Sequence, residues 1–255
     1  MFGHVLLEIF CGCLIGFTLG LIGGGGSILA VPLMVYVVGV ENPHVAIGTS
    51  ALAVAVNALA GLAQHARLGT VKWRCAAIFA GCGVAGAFGG AALGKAVDGQ
   101  KLLTLFALLM VLVGVLMLRG RRNPGCEGAA CHRGNVGRVM GCGLGAGVLS
   151  GFFGIGGGFL IVPGLVASTG MPILNAIGTS LVAVAAFGAS TALSYTMSGY
   201  VDWGMAMAFI AGGIIGSAGG MRMARRMAGS QGRLTTFFAV IIFLVAGYML
   251  ARIFW

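Results

Sequence analysis

Apolar stretches follow one another along almost the whole chain, cut by glycine, proline and short charged loops. Ten can be delimited, at about 5–22, 27–39, 44–65, 75–94 and 102–118, then at about 139–153, 158–170, 173–195, 203–221 and 234–251. A bilayer core needs roughly 20 helical residues, so the two segments that follow glycine runs, at about 13 residues each, are short. They are either short crossings or parts of one broken or re-entrant element.

The second five segments repeat the first. Gly12, Gly16 and Gly20 fall on Gly143, Gly147 and Gly151 at an offset of 131, and Val31-Pro32 falls on Val162-Pro163. After a one-residue gap, IGTS at 47–50 matches IGTS at 177–180, Gly69, Val71 and Trp73 match Gly199, Val201 and Trp203, and Gly86 and Gly90 match Gly216 and Gly220. Matches spread over the full length mean duplication. The expected units are residues 1–120 and 138–255, joined by a linker at 121–137.

Basic residues set the orientation, because cytoplasmic loops collect Lys and Arg. With five crossings per copy, one side receives twelve of them, Arg67, Lys72, Arg74, Arg119, Arg121, Arg122, Arg133, Arg138, Arg222, Arg225, Arg226 and Arg233. The other side receives three, Lys95, Lys101 and Arg252. With four crossings the bias vanishes, at eight against seven. An odd number inserts the second copy upside down. Matched loops then exchange charge, as the basic 66–74 loop and its match at 196–202, whose one charged residue is Asp202, do. The expected fold is an all-α polytopic membrane protein of two inverted repeats, each of about five helical segments with glycine-broken helices, both termini outside and the 119–138 loop in the cytoplasm.

Composition agrees. The 255 residues are 59% hydrophobic and 8% charged, with a mean hydropathy of +1.05. A soluble domain needs far more polar surface. The opening MFGHVLLEIF has no Lys or Arg before its apolar run and no clear cleavage site, so it reads as a retained helix. Cys11, Cys13, Cys75, Cys82 and Cys142 lie in apolar stretches and read as small hydrophobes. Cys126, Cys131 and His132 could hold a metal, yet their spacing matches no common zinc pattern and a fourth ligand is not obvious. No metal, cofactor or nucleic-acid partner is expected.

Glycine, at 48 residues, does two jobs. The series Gly12/Gly16/Gly20, Gly86/Gly90/Gly94, Gly143/Gly147/Gly151 and Gly212/Gly216/Gly220 has the spacing of close helix packing. The runs GLIGGGGSILAVP at 20–32 and GFFGIGGGFLIVP at 151–163 are different. Backbone amides left free at membrane depth are tolerated only where they are buried in protein or line a wet cavity. A glycine turn before a helix start presents such amides with the positive end of the helix dipole, which suits an anion. A single run could be a tight turn between helices, but its repetition in both copies favours the anion reading.

The candidate substrate-binding residues are therefore Gly23, Gly24, Gly25, Gly26 and Ser27 in one copy and Gly154, Gly156, Gly157 and Gly158 in the other. To these are added Thr49, Ser50, Thr179 and Ser180 from the IGTS elements, and Asn57 and Gln64 further along the same helix stripe, which continues in the second copy at Thr191 and Ser194. The hydroxyls could instead bond back to their own helices, and Asn57 and Gln64 could serve as glue between helices. Trp73 and Trp203 suit membrane edges. Glu8, Glu41, Asp98 and Asp202 lie toward segment ends, leaving His65 as the remaining titratable candidate within a span.

GLIGGGGSILAVP with IGTS and GTVKW, repeated as GFFGIGGGFLIVP with IGTS and GYVDW, resembles the sulfite exporter TauE/SafE family of bacterial membrane proteins. The resemblance implies a permease of the inner membrane for small sulfur-containing anions, and about eight membrane helices in two halves where the segment count here is ten. Lys72 stands where the second copy has Asp202. The expected function is a secondary transporter working by alternating access at a midplane site between the two repeats, with a proton or sodium as the candidate coupling ion. An anion channel would use the same amides, and a sulfur-relay protein would use Cys11 and Cys142, which match at the 131 offset. No cluster of acid, base or metal ligands suggests an enzyme.

A topology reporter fused at residue 128 is expected to be cytoplasmic; a periplasmic signal would overturn the orientation derived from charge.

Overall fold

The computed structural model describes residues 2–119, 131, 134–154, 158–226 and 231–254, which form helices and turns and no strand. Ten helices follow one another: α1 (Phe2–Ile22), α2 (Ala30–Pro32), α3 (Pro43–Arg67), α4 (Trp73–Lys95), α5 (Gly99–Arg119), α6 (Val136–Phe153), α7 (Gly158–Thr169), α8 (Ile173–Thr196), α9 (Trp203–Arg226) and α10 (Gln231–Phe254). Nine of them overlie segments expected from the apolar pattern, and the segment expected at about 27–39 is divided among a 3-10 helix, α2 and a π-helical stretch. Seven helices are long and apolar enough to cross a membrane among the described residues, and α10 is 24 residues long. The bundle's outer surface carries exposed large apolar residues, Phe10, Leu112, Ile215 and Leu244 among them. Lipid is the solvent for such a surface, and the protein is a multi-pass membrane protein.

The two short elements are irregular. α2 is the α-helical centre of a longer piece, with a 3-10 helix at Gly23–Leu29 before it and a π-helical stretch at Leu33–Val38 after it. The 3-10 geometry carries seven residues over roughly 14 Å where an α-helix would span roughly 10 Å. Pro32, which lacks an N–H and crowds the preceding turn, stands where the helix widens. α7 has 12 residues and Pro163 inside it.

Local sequence explains several helix ends. Asn42 caps α3 by accepting the N–H of His44 at 2.9 Å, with Pro43 at the first helical position. Asp202 caps α9 by accepting from Met205 N–H at 3.0 Å. At the matched place Lys72 gives α4 no side-chain cap. Trp73 and Trp203, one step on, are both more than half exposed.

The four glycine series resolve into two helix pairs. Gly12, Gly16 and Gly20 of α1 lie against the backbone of Phe209, Gly213 and Ser217 of α9, while Gly212, Gly216 and Gly220 of α9 lie against Ile9, Cys13 and Phe17 of α1. The second pair repeats this at the matched positions: Gly143, Gly147 and Gly151 of α6 meet Phe79, Gly83 and Ala87 of α4, and Gly86, Gly90 and Gly94 of α4 meet Leu144, Val148 and Phe152 of α6. The first helix of each half thus packs along the fourth helix of the other, in parallel. α3 and α8, which correspond to each other, run antiparallel: Gly48 meets Tyr195 and Tyr200, Gly188 meets Ala51 and Ala55, and Gly61 meets Leu181. α5 and α10 pair beside this frame, with Gly114 against the Phe243 ring.

One expectation fails. Cys75, read as an inert small hydrophobe, is joined to Cys131 in a disulfide that ties the linker to the start of α4. The bond spans 56 residues and depends on the linker folding back, which local sequence does not encode. It also engages the sulfur of Cys131 that the Cys126, Cys131 and His132 grouping would have needed; Cys126 and His132 lie outside the described residues.

Gly16→Leu and Gly147→Leu are expected to lower stability by about 3 kcal/mol or more, because each new side chain must enter a backbone contact. Gly145→Leu, on a stretch of α6 where an added Cβ meets nothing within 4 Å, is expected to be tolerated. Thermal unfolding of the purified variants in detergent checks both.

Candidate functional site

Each glycine run begins with a residue in the left-handed region. Gly23 has φ 71° and Gly154 has φ 66°, and both end the first helix of their half with a sharp change of direction. Each turn sits on the IGTS element of the other half. A Cβ at Gly23 would meet Ile177, and a Cβ at Gly154 would meet Ile47, the matched residue. The two sequence motifs are therefore one structural unit, assembled across the halves and built twice.

The glycine runs also touch each other. Gly24 and Gly158 are in backbone contact, with no room for a Cβ on either. Gly24 N–H donates to Ser180 Oγ at 3.4 Å, and the Ser180 hydroxyl donates to Ile177 O at 2.7 Å. Ser27 donates to Gly24 O at 2.9 Å, and Gly26 packs on Thr18 and Leu19 of α1. Gly25 lies within the 3-10 helix, and Gly156 and Gly157 lie outside the described residues.

The threonines of IGTS act differently from the serines. Thr179 Oγ1 accepts the backbone N–H of Lys72 at 3.0 Å, and Thr49 Oγ1 accepts that of Asp202 at 3.0 Å. These partners correspond to each other, so each threonine anchors the start of the opposite half's fourth helix. A part-buried amide at a helix start would otherwise lack a partner on its protein side. Ser50 bonds back to Ile47 O at 2.9 Å, as Ser180 does to Ile177 O. Ser27, Thr49, Ser50, Thr179 and Ser180 are all fully buried.

Asn57 is buried at the α3–α9 crossing, where its Nδ2 donates to Phe209 O at 3.4 Å beside Gly213, and its Oδ1 has no partner. Gln64, a half-buried residue one heptad on, is not part of that contact. His65 is buried, with Nδ1 3.0 Å from Thr70 Oγ1. Thr70 gives its own proton to His65 O at 3.1 Å, so Nδ1 carries the histidine proton and Nε2 is left as a buried acceptor without a partner.

Sequence reasoning passed over Tyr195, which is fully buried with an unpartnered hydroxyl. The repeat held the signal, because Tyr195 and Tyr200 match His65 and Thr70 at the 130 offset. Thr18 was missed as well; it is buried against Gly26, and no polar counterpart at Leu149 announces it.

Known proteins similar to this chain are membrane transporters by name. The chain is 52% identical over 253 residues to a "Probable membrane transporter protein" of Xylella fastidiosa, covering 97% of this chain and 95% of that one. It is 28% identical over 229 residues to the "Probable membrane transporter protein YdhB" of Bacillus subtilis, with 88% and 90% covered. A "Probable membrane transporter protein" of Haemophilus influenzae shares 31% identity over 207 residues, with 78% and 76% covered. No solved structure matches. The family described as "Sulfite exporter TauE/SafE" matches residues 8–249, and the chain belongs to that family.

Proposed function

We propose that the protein is a secondary permease that moves sulfite, an organosulfonate or another small sulfur oxyanion across a bacterial inner membrane by alternating access. The observation that carries this is the meeting of the two glycine runs at Gly24 and Gly158, each seated on the other half's IGTS element. An ion at such a junction would meet backbone N–H groups in a dry setting, where neutral dipoles solvate an anion without a buried cation, and the serine hydroxyls would turn to it from the carbonyls of Gly24, Ile47 and Ile177 that they now bond.

The halves 1–120 and 138–255 are inverted repeats joined by the 121–137 linker, and the transport step is a rocking of one against the other. The antiparallel crossing of the matched helices α3 and α8 supports inversion. The 3-10 and π-helical stretches beside Gly23 supply deformable backbone at the place where rocking would be absorbed. A proton or sodium gradient drives the cycle. The relatives' names support transport, and the family description supports a sulfur oxyanion as the cargo.

Proteoliposomes are expected to show saturable flux of at least one of sulfite, thiosulfate, sulfate and methanesulfonate, abolished when the proton and sodium gradients are collapsed. The double variant Ser50→Ala/Ser180→Ala is expected to lose flux at least tenfold while remaining in the membrane. Non-saturating flux would favour a channel, and no flux of any of these anions would overturn the reading. Replacing the free cysteines Cys11, Cys13, Cys82 and Cys142 is expected to leave flux intact; its loss would favour a sulfur relay.

A further inference from the structure

Buried polar side-chain atoms without a hydrogen-bond partner fall mostly on two helices. Of six such atoms among the described residues, five belong to α3 or α8: His44 Nδ1, Asn57 Oδ1 and His65 Nε2 on α3, and Thr191 Oγ1 and Tyr195 Oη on α8. A protein interior leaves few polar groups unpaired, because each costs about 1–3 kcal/mol. Two of them, on His44 and Tyr195, belong to side chains that lie together at one end of that helix pair.

One end of that pair also carries a cation. Where α3 begins and α4 and α8 end, Lys95 Nζ donates to Ser194 O and to Ser198 Oγ, both at 3.0 Å, and stands 5.8 Å from the centroid of the Tyr195 ring. Both hydrogen-bond partners are neutral, so the ammonium keeps an unmatched charge and a third N–H. His44 lies with its ring 6.4 Å from that of Tyr195 and 5.5 Å from that of Tyr200. The acidic side chain of the adjoining loop, Asp98, is occupied with the backbone N–H groups of Gln100 and Lys101. By the 130 offset Lys95 corresponds to Arg225, so both copies place a cation at this position of the repeat.

We propose that Lys95, Tyr195 and His44 form an anion-recognition site at this end of the α3–α8 interface, distinct from the glycine junction, which a small oxyanion occupies on entering or leaving. The proposal rests on the anion-permease reading. Lys95 supplies charge, and the Tyr195 hydroxyl and the His44 ring supply hydrogen bonds that no protein group takes. Tyr195 is fully buried in the present arrangement, so occupation of the site requires a movement that exposes its hydroxyl.

Tyr195→Phe is the decisive variant, since it removes a hydroxyl that bonds to nothing in the protein. Unfolding midpoints of the delipidated full-length protein in detergent are measured against sulfite, sulfate and methanesulfonate, with chloride as background. At least one of these anions is expected to raise the midpoint of the unmodified protein. Tyr195→Phe is expected to keep the anion-free midpoint but to need at least tenfold more anion for half the effect. Lys95→Met is expected to do the same, and Lys95→Arg to recover most of it. Unchanged half-saturation in Tyr195→Phe and Lys95→Met, no response of the unmodified protein, or a response to added phosphatidylglycerol alone would each overturn the site. Flux through the unmodified protein in proteoliposomes is scored separately. Flux with unaffected variants removes this site and leaves the permease, whereas affected binding without flux leaves the site and removes the permease.

Discussion

The structure depends on backbones that touch. Along α1 and α9, and again along α4 and α6, glycines recur every fourth residue and face the main chain of the neighbouring helix, too close for a Cβ. In lipid no hydrophobic force drives helices together, because the tails are as apolar as the side chains. Close packing and complete hydrogen bonding must supply the cohesion. The glycine rows provide the first and join the first helix of each half to the fourth of the other.

That exchange decides what happens at the centre. Because the halves are laced together by α1–α9 and α4–α6, the glycine turn closing α1 is delivered to the IGTS element of the second half, and the turn closing α6 to that of the first. The threonines of the same elements then secure the amides of Lys72 and Asp202. A motif of four residues thus does two jobs, a hydroxyl anchor for a distant helix start and a seat for a distant glycine turn. Ser180 beside one of them also accepts the N–H of Gly24 at the junction.

Much of the fold was legible in the chain. The ten segments, the duplication and the glycine packing faces all follow from spacing, because helical period and bilayer thickness leave few alternatives. The roles inside the site were less legible. Thr49 and Ser50 are adjacent and chemically alike, yet one reaches across the bundle and the other bonds to its own helix. Asn57 reaches α9, and Gln64, at the same heptad position, does not share that contact. Such differences depend on which neighbour lies within a few ångströms.

Sequence alone determined that this chain lives in a membrane, is built of helices and is made twice from one plan, because composition and period are properties of the chain itself. Only the tertiary structure decided that each copy completes its motifs with the other, that Cys75 meets Cys131, and that Tyr195 lies buried beside Lys95 with its hydroxyl unpaired. These are contacts between residues 56 to 156 positions apart. No local pattern records them, since hydrogen-bond partnership is fixed by distance in space, and distance is set by how the glycine-lined helices come together.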